Sequence, residues 1–129
     1  PNYMSGTHWA TSPAIDCSGC SGNWNLQFWK RLGVEYHYYD HAYIQVKNPQ
    51  GNWVQIYSSV GTINDGSYQF VTYNIANYVQ NNPAFQVRFG LGSTDGSVTY
   101  TGWNIDDIKI FSIQHFVIVA VCSLHTKFR

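Results

Sequence analysis

Apolar and polar residues alternate along this chain with a period of two, and no other feature limits its fold as strongly. Trp24, Leu26 and Phe28 share one side of an extended segment, with Asn25 and Gln27 on the other. Ala42, Ile44 and Val46 are set against Tyr43, Gln45 and Lys47 in the same way. Phe85, Val87, Phe89 and Leu91 oppose Gln86, Arg88 and Gly90. Strands are therefore expected over 13–17, 23–33, 41–48, 53–58, 68–75, 84–91 and 103–113. Asn48-Pro49-Gln50-Gly51-Asn52 carries a hairpin-turn signal, and Asn64-Asp65-Gly66 marks a second turn in a loop over 59–67. One helical turn is expected within 75–82, stopped by Pro83. Short strands at this spacing predict an all-β, antiparallel two-sheet sandwich or barrel. With no repeat of solenoid or propeller period, one domain accounts for residues 1–113. Residues 114–129 have a different, apolar texture and read as a tail or an extra strand.

Composition narrows the function classes. Only 11% of the 129 residues are charged, and seven Lys and Arg balance seven Asp and Glu. The missing basic excess argues against a nucleic-acid partner. An apolar content of 44% argues against disorder. The longest apolar run, Phe116 to Cys122, is far too short for a membrane span, which needs roughly 20 residues. A charge-poor chain rich in Asn, Gln, Ser, Thr, Gly and aromatics suits a secreted, extracellular β domain. Cys17 and Cys20 form a lone Cys-x-x-Cys in a Ser/Gly-rich turn, open to a local disulfide or to structural thiols. Cys122 has no evident partner.

Adjacent strand residues point to opposite faces, so Asp106 and Asp107 pose a problem. One of them must face inward, or the pair must sit at a bulge. An inward carboxylate needs a partner: a hard cation such as calcium, Arg88, or a backbone turn. Among the aromatics, Trp24, Phe28, Phe85 and Phe89 belong to the core pattern. Tyr36, Tyr38, Tyr39, Tyr68, Trp53, Tyr57 and Tyr100 fall in loops or beside turns. Rings next to Asn and Gln can stack on sugars while amides bond to hydroxyls, or can simply pair across strands. No nucleophile elbow, zinc-protease motif or phosphate loop is present, and Glu35 and Asp40 make a poor carboxylate pair within a single loop. The chain is therefore read as non-enzymatic.

The segments SerProAlaIleAspCys (12–17), LeuGlnPheTrpLysArgLeuGlyVal (26–34), TyrAspHisAla (39–42) and GlyTrpAsnIleAspAsp (102–107) occur in this order. Together they resemble the jelly-roll domains of bacterial secreted proteins and peptidases, akin to MAM domains and more distantly to reelin repeats. The resemblance implies a jelly-roll sandwich that is non-catalytic and holds a structural calcium ion near Asp107 and Asp106, with Asp40 and Asp16 at further acidic positions. It implies adhesion, protein contact or glycan binding; the loop and turn aromatics Tyr36, Tyr38, Tyr39, Trp53, Tyr57 and Tyr100, read from the residues themselves, are the candidate ligand contacts. The expected partner is a polysaccharide or a protein. The family carries strands before the point where this sequence opens, so residues 114–129 are expected to add a strand at that gap, within one chain or between copies.

Overall fold

The computed structural model describes residues 4–35, 41–94, 102–112 and 126–128. The chain folds as an antiparallel β-sandwich, as the alternation requires. The strands are β1 (Met4–Thr11), β2 (Ile15–Cys17), β3 (Trp24–Val34), β4 (His41–Lys47), β5 (Trp53–Ser58), β6 (Ile63–Asn64) and β7 (Gln69–Asn74). A single helical turn, α1 (Ala76–Val79), precedes β8 (Asn82–Phe85), β9 (Val87–Thr94), β10 (Gly102–Ser112) and β11 (Thr126–Phe128). One sheet has the order β1-β9-β4-β5. The other has the order β11-β10-β3-β6, with β7 also paired to β3, and β2 and β8 form a separate pair. The chain passes directly from one large sheet to the other after β3, β5 and β9, and by way of the β2–β8 pair after β1 and β7.

The core lies between the sheets. Phe28 of β3 meets Phe89 of β9 edge to face at 5.2 Å, and Phe89 meets Trp103 of β10 at 5.6 Å. The Trp103 indole N–H donates to the Gly90 carbonyl at 2.8 Å, which ties the sheets together by a polar bond inside the apolar layer. Ala42, Ile44, Val46, Phe85, Val87, Phe89 and Leu91 are all buried, matching the alternation read from the sequence. Lys30 shares the parity of Phe28 and Leu32, so it is the odd member of the inward set. Its ammonium reaches the Asp65 carboxylate at 2.8 Å. The same carboxylate oxygen accepts the Leu32 N–H at 2.8 Å, and Asp65 N–H donates back to the Leu32 carbonyl. The turn at 64–66 is thus latched to β3 by charge as well as by backbone.

Three departures from the sequence reading have physical causes. Residues 4–11 form a strand paired with β9, although MSGTHWAT shows no clean alternation. The run 84–91 is not one strand. It breaks at Gln86, so that Phe85 pairs with Ile15 of β2 while Val87 onward pairs with β4. The loop 59–67 contributes a two-residue strand, β6, beside Gly33 and Val34. The tail supplies β11, whose residues Thr126 to Phe128 pair with Ile105 to Trp103 at the outer edge of β10.

Candidate functional site

Between Asp106 and Lys109 the β10–β3 register slips by one residue, and Asp107 adopts φ 54 there. This is a β-bulge, and it resolves the parity problem of the Asp pair. Trp103 and Ile105 point inward before it, Ile108 and Ile110 after it, and Asp107 is turned out to solvent. Asp107 N–H donates to Asp106 Oδ1 at 2.9 Å. No inward carboxylate is left among the two. Asp16 is also exposed. It accepts from the Ser18 N–H and hydroxyl, bonds that hold its carboxyl below the usual carboxylate range. Among the described residues, no three His, Cys, Asp or Glu side chains come together as a metal-holding group. Asp16 and Asp107 are thus exposed carboxylates and Asp106 is half-buried at the bulge, while Asp40, the fourth position the resemblance gives to calcium, lies outside the described residues.

The aromatic candidates divide. Tyr36, Tyr38, Tyr39 and Tyr100 lie outside the described residues. Tyr57 and Trp53 are both on β5, but a bulge opposite Ile44 and Gln45 puts them on different faces. Tyr57 turns inward against Trp103, 6.1 Å between ring centroids, and packs against the core. Burial pushes its phenol up to about 12. It belongs to the sandwich interior rather than to a binding surface. Trp53 pairs with Lys47 on the outward side.

Trp53 belongs to a continuous ladder of side chains across the outer face of β1-β9-β4-β5. The Arg88 guanidinium lies 4.0 Å from the ring centroid of Trp53 and 4.0 Å from that of Trp9. Its Nε and Nη2 both donate to Gln45 Oε1, at 2.9 and 2.6 Å. Lys47 Nζ approaches the Trp53 ring at 5.8 Å. On the other side Trp9 meets Tyr43 at 6.1 Å, and Tyr43 stacks on His41 at 5.7 Å with 12° between the planes. The sequence His41, Tyr43, Trp9, Arg88, Trp53, Lys47 is therefore one chain of ring and cation contacts.

The backbone makes room for it. A Cβ at Gly90 would stand 2.5 Å from the Trp9 ring, and one at Gly92 would stand 2.7 Å from Thr7 Oγ1. Glycine at outward positions of β9 lets the indole lie flat on the sheet. Cation–π contact and the amide bonds fix the guanidinium, so the rings and the cation are held in place before any ligand arrives.

Part of this face was readable in advance. Tyr43, Gln45, Lys47, Arg88 and Gly90 occupy the outward side of the alternating runs, and Gly90 between two strands signals a close approach by a neighbour. Trp9 was not, because its strand lacks the pattern.

A second aromatic pair sits on the other sheet. Trp29 and Phe70 are 5.2 Å apart and 42% and 52% exposed, with Tyr68 also exposed beside them in sequence. This pair is on the edge strand β7 and its neighbour β3, and no cation among the described residues stacks on it.

At the β2 end, Cys17 is buried and Cys20 half-buried, both as thiols. Burial, with Cys20 next to it, raises the Cys17 thiol to about 12. No protein-family model and no curated protein matches this chain.

Proposed function

We propose that the protein is a non-catalytic, extracellular carbohydrate-binding module, with the outer face of β1-β9-β4-β5 as its binding surface. The Trp9–Arg88–Trp53 cluster is the observation that carries this reading. Half-buried indoles lie on the outer face of the sheet, held by the guanidinium they share, next to the amides of Gln45 and Gln55, whose side chains meet at 3.4 Å. Flat indoles suit the apolar faces of sugar rings, and side-chain amides suit their hydroxyls. Affinity electrophoresis through gels containing a panel of polysaccharides tests it. Retardation by at least one of them is expected, with about tenfold weaker binding in Trp53→Ala while the circular dichroism is unchanged. Free migration through every gel, by a folded protein, overturns it.

A second reading draws on Trp29 and Phe70. An exposed aromatic pair on an edge strand suits a protein partner or a second copy. It predicts concentration-dependent association that Phe70→Ser abolishes, and sedimentation velocity over a concentration series reads it. A monomer at every concentration that also captures no protein ligand rules this reading out.

A further inference from the structure

None of the strands β1, β9, β4 and β5 contains an Asp or Glu. Their outer face nevertheless carries Arg88 and Lys47. The described carboxylates lie elsewhere in the chain: Asp16 on β2, Glu35 just after β3, Asp65 latched to Lys30, and Asp106 and Asp107 on β10. The strands of the other sheet mix both signs, with Lys30, Arg31 and Lys109 beside Asp106 and Asp107, whereas the strands under the ladder carry cations alone. Among the described residues the one ion pair is Lys30–Asp65, so no described carboxylate pairs with either cation of the ladder. Arg88 is instead held by two indoles and one amide oxygen. That oxygen can accept from two of its N–H donors, and a guanidinium has more than two. Lys47 Nζ has a long, 3.5 Å contact with Gln86 Oε1. Arg88 lies 4.0 Å and Lys47 Nζ 5.8 Å from the centroid of the same Trp53 ring, so a sugar held at that ring would bring its substituents near both.

We infer that this face takes an anionic polysaccharide, with Trp53 and Trp9 as the sugar platform and Arg88 and Lys47 as the groups that read its carboxylate or sulfate substituents. The inference rests on the carbohydrate-binding reading and names its ligand class. Guanidinium suits this task because its planar fork matches two oxygens of one carboxylate or sulfate. The stack on two rings fixes the fork's orientation, so little further ordering is needed on binding. A neutral glycan would leave these cations no better paired than water does, whereas an anionic one would exchange water for charge-assisted bonds.

The test uses matched pairs of ligands that share a backbone and differ in charge. Polygalacturonate is compared with its fully methyl-esterified form, and dextran sulfate with dextran, by affinity electrophoresis and calorimetry on the intact chain. The charged member of at least one pair is expected to bind about tenfold more tightly than its neutral counterpart. The pair that shows this tells carboxylate from sulfate. Binding should weaken between about 20 mM and about 500 mM NaCl as the charges are screened. Arg88→Gln should lower affinity about tenfold and Lys47→Gln about threefold, the second without touching the Trp9–Arg88 stack. Lys109→Gln, exposed on β10, should change it less than twofold.

Equal binding of the charged and neutral members overturns the inference and leaves the carbohydrate reading standing. Loss in Lys109→Gln as large as in Lys47→Gln overturns the assignment to this face. Binding to none of the four overturns the inference, and the wider gel panel then decides the carbohydrate reading separately.

Discussion

Asp107 shows how one residue can look functional for a conformational reason. Its φ of 54 is a left-handed conformation that Asp, Asn and Gly tolerate and other residues resist. On the bulge reading, Asp107→Asn should leave stability within about 0.5 kcal/mol, Asp107→Gly should be neutral or mildly stabilising, and Asp107→Ala should lose about 1 kcal/mol. Urea unfolding of the three variants checks the order. The same series run in about 1 mM calcium and in chelator tests the ion implied by the family resemblance, since Asn preserves the backbone but removes the charge. A Tm that calcium raises in the parent but not in Asp107→Asn would make Asp107 a ligand as well as a bulge former. Asp65 has the opposite character, because its partners lie inside the fold. Asp65→Ala strands the Lys30 ammonium and the Leu32 N–H together, for an expected loss of about 2–4 kcal/mol. Asp65→Asn keeps an acceptor and should lose less, and chemical denaturation of the two variants measures the difference. No sequence pattern marks this pair, since its members are 35 residues apart.

At the scale of the element, β9 carries both of the molecule's faces. Its inward residues Val87, Phe89 and Leu91 build the core, and its outward Arg88 and Gly90 build the ladder. Gly90→Ala should leave the core alone and push the Trp9 ring off the sheet. A destabilisation of about 1–3 kcal/mol is expected, with a shift in tryptophan emission and a loss of glycan affinity in parallel with Trp9→Ala. Unchanged affinity in Gly90→Ala would show that Trp9 plays no part in binding. Much of this was legible in the sequence, because the period-two pattern assigns each residue to a face before any sheet is built. It failed where geometry outside the pattern took over. The run through Phe85 and Val87 keeps perfect alternation, yet Gln86 divides it between two sheets: its carbonyl accepts the Lys47 N–H and its amide donates to the Ser12 carbonyl. The parity of Trp53 and Tyr57 is the same in sequence, and the bulge on β5 alone separates a surface ring from an interior one. Bulges shift register by one residue without leaving a distinct residue type behind, so the fold class could be read and the membership of the site only in part.

For the whole molecule, the sandwich interior includes groups that alkaline pH ionises more readily in the unfolded chain than in the folded one. Tyr57, with Trp103 against it, and Cys17, at the β2 end, both join the apolar layer between the sheets. Burial raises Tyr57 from its ordinary 10.0 to about 12 and Cys17 from 9.0 to about 12. A group whose value is raised on folding gives up its proton first in the unfolded chain. Its contribution is therefore complete below the unfolded value and is lost as pH climbs toward the folded one. Stability should hold up to about pH 9, fall as the unfolded thiol ionises, and fall more steeply from about pH 10 as the unfolded phenol joins it. Each variant removes one part of that limb. Tyr57→Phe should flatten the decline above about pH 10 and leave the earlier part in place. Cys17→Ala should flatten the part that starts near pH 9, even though its stability at neutral pH is lower from the cavity it leaves. Urea midpoints measured at half-unit steps from about pH 8 to about pH 11.5 separate the two contributions. An alkaline limb identical in the parent and in both variants would place the titrating groups elsewhere, and the two side chains would then be packing residues with no share in the pH response.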